Sequence, residues 1–224
     1  QTVELSTSVE SAGIYGLMIM VASDRYGEDI IWRFRTNCDK YLIETSRGHK
    51  DAAHLEPVVL LDSDQEGSVC FFPRPTAFEI DISDLPSDIS SLKITNASGQ
   101  EVATLSCNNG EATHQFETGD RGDAPWQLLL PKAQATVQID GVTRWATHDP
   151  YPDLSLWTPH PTSWFDLHAN RWLLTPYNRT VYGQLGEEKS LAYQIHNNGQ
   201  KGITVDLALE YPTNNWPVKL FDKQ

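Results

Sequence analysis

The chain has 224 residues, a net charge of −13 and a pI of about 4.8, with 39% hydrophobic, 21% charged and 10% aromatic residues. A chain of this length and composition forms one large or two small domains and buries a core instead of staying disordered. The acidity excludes nucleic acid as a partner and disfavours an anionic membrane surface, because both need clustered Lys and Arg.

Hydrophobicity alternates with period two along most of the chain, the mark of half-buried strands. The spacing predicts strands near 2–9, 13–22, 29–35 and 41–45. The longest apolar run lies within 13–22; it is too short for a membrane span, which takes about 20 residues, and reads as a buried strand. A start at Gln1 instead of Met reads as a processed or trimmed chain. Strands follow near 57–61, 67–72, 76–82, 91–95, 101–106, 113–117, 126–130 and 136–140. Turn-rich stretches such as "DSDQEG", "NASGQ", "CNNGE" and "TGDRGDAP" separate them. Residues 146–178 carry no strand pattern, and further strands are expected near 180–185, 189–197, 202–211 and 216–221. No segment carries a sustained helical stripe; 83–92 reads as one short helical turn.

Many short strands at this spacing predict an all-β chain of antiparallel sheets. The expected order is a jelly-roll-type β-sandwich over 1–147, an aromatic and Pro-rich connection over 148–177, and a smaller Ig-like β-sandwich over 178–224. That last piece is short for a sandwich, so it is either incomplete or packed on the first.

Along the same path lie several short motifs. The cysteines number three, so at least one is not in an intramolecular bridge; Cys38 and Cys107, both beside Asn in turns, are the disulfide candidates. Asp62, Asp64 and Glu66 before Gly67 resemble the start of a calcium loop, but Pro73 stands where an EF-hand needs Glu, leaving a simpler calcium turn or an ordinary acidic hairpin. A structural calcium is thus the only cofactor suggested. Asn96-Ala-Ser98 and Asn178-Arg-Thr180 are sequons for a eukaryotic secretory path. Arg121-Gly122-Asp123 matches the integrin-binding tripeptide, which a Gly-Asp turn explains equally well.

The order of elements over 67–142 resembles β-sandwich accessory domains of secreted bacterial carbohydrate-active enzymes. The matching residues are Phe71, Phe72, Pro73, Phe78, Asn96, Gly99, Val102, Gly122, Trp126 and Gly141. The stretch covers under half the chain, and "GVTRW" stands where the pattern closes on Pro. The tail from Lys189 to Val218 is similar to Ig-like modules that accompany glycosidase domains, through its Asn-x-Gly turn and its "PTNNWPV" end. These resemblances imply a secreted, extracellular or periplasmic setting and a polysaccharide-related role. They bring no catalytic residues with them.

Residues 145–177 concentrate Trp145, Tyr151, Trp157, Trp164, Phe165, Trp172 and Tyr177. Indole and phenol faces stack on the C–H faces of sugar rings, and Asp149, Asp153, Asp166, Asn170 and Arg171 supply partners for hydroxyls. This makes Trp145, Tyr151, Trp157, Trp164, Asp166, His168, Arg171 and Trp172 the candidate ligand-binding set. The alternative is that the aromatics anchor a long connection onto the sheets, since Trp buries a large area. His148, His160 and His168 lack the spacing that presents two metal ligands from one strand or helix.

No nucleophile elbow and no phosphate-binding glycine loop occur. A glycosidase needs two facing carboxylates, and only Asp149, Asp153 and Asp166 lie among the aromatics. The expectation is therefore a non-catalytic secreted module that binds polysaccharide or supports a neighbouring domain or protein. Two alternatives stand beside it: a structural subunit of a surface layer or fibre, self-associating through edge strands, and a small polysaccharide-cleaving enzyme using 148–172.

Overall fold

The computed structural model describes residues 6–13, 15–16, 38, 40–44, 53–61, 63–149, 151–159, 171–175, 180–210 and 218–220. The chain divides into two compact units, Gln1–Asp39 and Lys40–Gln224. In the first unit the described residues carry no strand; there the Tyr15 hydroxyl donates to the Ser11 carbonyl at 2.5 Å.

The described strands all belong to the second unit. In chain order they are β1 (Ile43–Glu44), β2 (His54–Leu55), β3 (Val58–Leu60), β4 (Gly67–Phe71), β5 (Phe78–Ser83), β6 (Ser91–Asn96), β7 (Glu101–Ser106), β8 (Ala112–Phe116), β9 (Trp126–Leu130), β10 (Ala135–Ile139), β11 (Arg144–Trp145), β12 (Ser155–Thr158), β13 (Trp172–Thr175) and β14 (Gln194–Asn197). Six form one sheet in the order β1-β12-β4-β9-β6-β7, and four form a second, β3-β10-β5-β8. β11 pairs with β2, and β13 with β14. Every strand ladder is antiparallel, and no described residue is helical.

The two larger sheets close on one apolar core, giving an all-β sandwich. Phe78, Ile80 and Ile82 of β5 and Ala135, Val137 and Ile139 of β10 point in from one side. Val69, Phe71, Leu92, Ile94, Leu128 and Leu130 meet them from the other. Alternation in the sequence thus becomes one buried face per strand. At one end Phe78 stacks on Phe116 at 4.7 Å, with Trp126 edge-on to Phe116 at 5.4 Å.

The central strands depart from alternation. β4 is buried along its whole length, and its outer-face residues Ser68 and Cys70 are as hidden as its core residues. Gln127 beside them donates its Nε2–H to Cys70 Sγ at 3.8 Å. Burial pushes the Cys70 thiol up, against the smaller pull of the Ser68 and Gln127 hydrogen bonds.

The "CNNGE" turn carries the chain from β7 in one sheet to β8 in the other. Asn109 and Gly110 take φ of 53° and 82°, and Asn108 and Glu111 exchange backbone hydrogen bonds at 2.8 and 3.0 Å. Gly110 is required here, because a Cβ would drive into the Leu85 carbonyl.

Several expectations need correction. The stretch 146–178 contains β12 and β13, and β12 is a full member of the larger sheet. Short β2 and β11 were also invisible to periodicity. Within 83–92 the chain makes a turn, with Ile89 N–H donating to the Pro86 carbonyl at 3.1 Å, and no helix. The strands expected at 180–185 and 202–211 do not appear among the described residues, and of that tail β14 alone is a described strand, paired with β13. An alternating pattern prepares a strand, but a ladder needs a partner edge. The expected strands 13–22 and 29–35 lie almost wholly outside the described residues.

Candidate functional site

Of the described aromatics of this segment, Trp145 is buried and Tyr151, Trp157 and Trp172 are half-buried. Trp145 on β11 is 3% exposed. Trp157 on β12 pairs with Val69 and packs against the core. Its indole lies over Gly67: a Cβ there would stand 2.9 Å from both Trp157 Nε1 and the Thr158 carbonyl. Thr158 Oγ1 donates to the Tyr41 carbonyl at 2.9 Å and ties β12 to the chain before β1. Trp145 is thus a buried packing residue, and Trp157 is a half-buried one.

The polar residues of the segment form a clasp. Arg171, just before β13, donates from Nη2 and Nε to Asp153 Oδ2 at 2.6 and 3.0 Å. Its Nη1 donates to Asp123 Oδ1 at 2.6 Å, and its guanidinium lies 4.3 Å from the centre of the Phe72 ring. Planar delocalised charge suits this double pairing and the aromatic face. Tyr151 stacks against His196 of β14 at 3.7 Å, and Thr175 Oγ1 lies 2.7 Å from His196 Nε2. Trp172 is half-buried on β13. Trp164, Asp166 and His168 lie outside the described residues.

Both charged ends of Arg121-Gly122-Asp123 are committed: Asp123 to Arg171, and Arg121 to the aromatic end of the core. Arg121 Nη1 donates to the Arg74 and Gly119 carbonyls at 3.0 Å, Nη2 to the Glu117 carbonyl, and the guanidinium lies 5.2 Å from the Phe78 ring. Burial pulls the Arg121 pKa below its ordinary value. Cys107 carries a thiol 3.8 Å from the Leu105 carbonyl, packed against the core. In the candidate calcium turn Asp64 and Glu66 are exposed, and Asp62 lies outside the described residues. No group of three metal-ligating side chains occurs among the described residues.

The outer face of the smaller sheet carries a charge cluster that sequence reasoning missed. Arg144 donates from Nε to Asp140 at 2.7 Å, from Nη2 to Glu79 at 3.2 Å, and from Nη1 to Asp81. Burial alone would raise the Asp81 carboxyl, but its hydrogen bonds from Arg144 and Thr113 outweigh this and hold it below its ordinary value. Burial likewise opposes the Arg144 charge, and the Asp140 and Asp81 carboxylates more than restore it. Glu79 and Asp81 were visible as the polar face of a strand; nothing local marked Arg144 as their partner.

A groove of about 840 Å³ crosses the outer face of β6 and β9. Lys93, Thr95, Gln127 and Leu129 form its floor as cross-strand pairs. Ser90 and Ser91 edge it at one end, and Ala97 to Gly99 of the β6–β7 turn at the other. Leu130 and Pro131 add aliphatic surface. Lys93 is paired with Glu101 at 2.9 Å. Ser and Thr on the outward face of a strand read as ordinary solvated positions, so no sequence signal singled them out.

Compared with known proteins, the chain matches no family model, no curated protein and no solved structure.

Proposed function

We propose that the chain is a non-catalytic β-sandwich module of a secreted, carbohydrate-related protein, which binds polysaccharide or supports a neighbouring carbohydrate-active domain. The observation that carries the non-catalytic reading is the commitment of the described carboxylates in the aromatic segment. Asp153 is paired twice with Arg171. Asp149 accepts the Ala146 N–H at 3.0 Å and lies 3.9 Å from Arg74. Glycoside cleavage needs one carboxyl kept protonated and another free to attack or activate water. The hydrogen bonds that Arg171 gives Asp153, and that the Ala146 N–H gives Asp149, occupy lone pairs that such work requires.

The groove over β6 and β9 supports the binding half of the reading. Its hydroxyls, its one amide and its aliphatic floor suit a hydroxyl-rich chain. Its single cation is already paired, and the net charge of −13 repels anionic polymers, so an uncharged polysaccharide is the ligand class. The test is a titration with neutral and acidic polysaccharides, followed by backbone amide NMR, with each mixture assayed for new chain ends. Saturable shifts at 91–99 and 127–131 with no cleavage are expected, and Ser91→Trp, which fills the groove, should weaken binding about tenfold. New chain ends would end the non-catalytic reading. Silence across the panel would remove binding and leave the supporting role.

A second reading, an assembly subunit, is favoured by one observation. Leu191, Tyr193 and Ile195, and then Ile203, Leu207 and Leu209, stand 42 to 48% exposed in alternate positions. Exposed apolar rows of this kind mark interaction surfaces. Light scattering that found only monomer over a wide concentration range would dispose of it.

A further inference from the structure

We propose that the β13–β14 hairpin is a detachable flap, latched to the sandwich by Arg171. The two strands pair from Trp172 with Asn197 to Thr175 with Gln194. Among the described strands they pack mainly on each other. An isolated two-stranded hairpin is marginal in water, so its order must come from what fastens it.

The contacts of Arg171, Asn198 and Gln200 fasten one end, and Tyr151 against His196 adds a contact within β14. Arg171 seats its guanidinium between Asp123, Asp153 and the face of Phe72. Its carbonyl accepts the Asn198 N–H at 2.8 Å. The Asn198 amide in turn donates to the Tyr151 and Pro152 carbonyls at 3.2 and 3.4 Å. The Gln200 N–H is shared between the two Asp123 oxygens at 3.2 and 3.3 Å. The chain entering β13 and the turn leaving β14 therefore both reach Asp123 and the short stretch 151–153. At the far end Gln194 and Ile195 are exposed.

Arg171 and Asp153 are largely buried, with 14% and 11% of their side chains accessible. Removing one partner of such a pair leaves a charge without compensation in a poorly solvated place. The latch therefore opens as a unit and not by gradual fraying. Opening uncovers two carboxylates beside an aromatic face, a seat whose chemistry accepts another guanidinium. A partner presenting an exposed arginine is the class of ligand that would hold the flap open.

Hydrogen exchange on the full chain, read by mass spectrometry, tests this. In Arg171→Gln, protection over 171–175 and 194–200 should fall together by about a hundredfold or more, while β4, β5, β9 and β10 keep theirs. Asp123→Asn removes the more exposed arm and should give a smaller loss over the same residues; it serves if the first variant does not fold. Methylguanidinium added to Arg171→Ala should bind in the emptied seat and shift the Phe72 ring resonances. Unchanged hairpin protection in both variants would overturn the latch. So would a loss shared equally with the sandwich strands, which would make Arg171 part of the core instead.

Discussion

Gly67 shows how much one side chain decides. A strand glycine ordinarily weakens its strand, and alanine would recover about 0.5–1 kcal/mol. Here the added methyl meets the Thr158 carbonyl and the Trp157 indole at 2.9 Å, and neither belongs to a flexible chain end. Gly67→Ala should therefore destabilise by about 1–3 kcal/mol, read as a lower urea midpoint; an increase would mean that β12 can shift. Asp81 sets a pH dependence. Its pKa is below the ordinary 3.8 in the folded chain, so the unfolded chain binds more protons between the two values. The stabilisation is present above pH 3.8 and is lost as pH falls through the folded value. Asp81→Asn should lower stability near neutrality and flatten the acid limb of a midpoint-against-pH curve. An acid limb identical to wild type would show that the Arg144 cluster does not couple to folding.

At the scale of elements, alternation was legible wherever one face of a strand meets the core. β5, β6, β7, β8, β9 and β10 lie within a residue or two of where period two places them. Ile139 is wholly buried, and Ile139→Ala should cost about 2–5 kcal/mol in chemical unfolding; a cost below 1 would mean that the two sheets close over the gap. β12 was not legible, because its "SLWT" follows prolines and has only four residues. Its identity as a strand comes from β4, whose open edge accepts it. The tail shows the converse. Ile203, Val205, Leu207 and Leu209 alternate as cleanly as β5, yet they make no ladder in the described chain. Leu207→Asp should consequently change the unfolding midpoint by no more than about 0.5 kcal/mol. A large loss would show that the row is buried in solution.

At the scale of the whole molecule, the sequence by itself determined an acidic, all-β chain with antiparallel sheets and a core built from alternate residues. These properties follow from composition and from a period of two, both of which are local. Only the tertiary structure decided which edges meet. It placed Trp145 inside and Trp157 half-buried against the core, closed Arg171 on Asp123 and Asp153 from 48 and 18 residues away, and turned the Arg121-Gly122-Asp123 loop into an anchor. It also drew the division of the chain after Asp39, where composition showed no seam. The physical reason is common to all of these. A strand pattern specifies a face, whereas a pairing partner, an ion pair and a domain boundary depend on residues far apart in the chain, whose meeting no local window records.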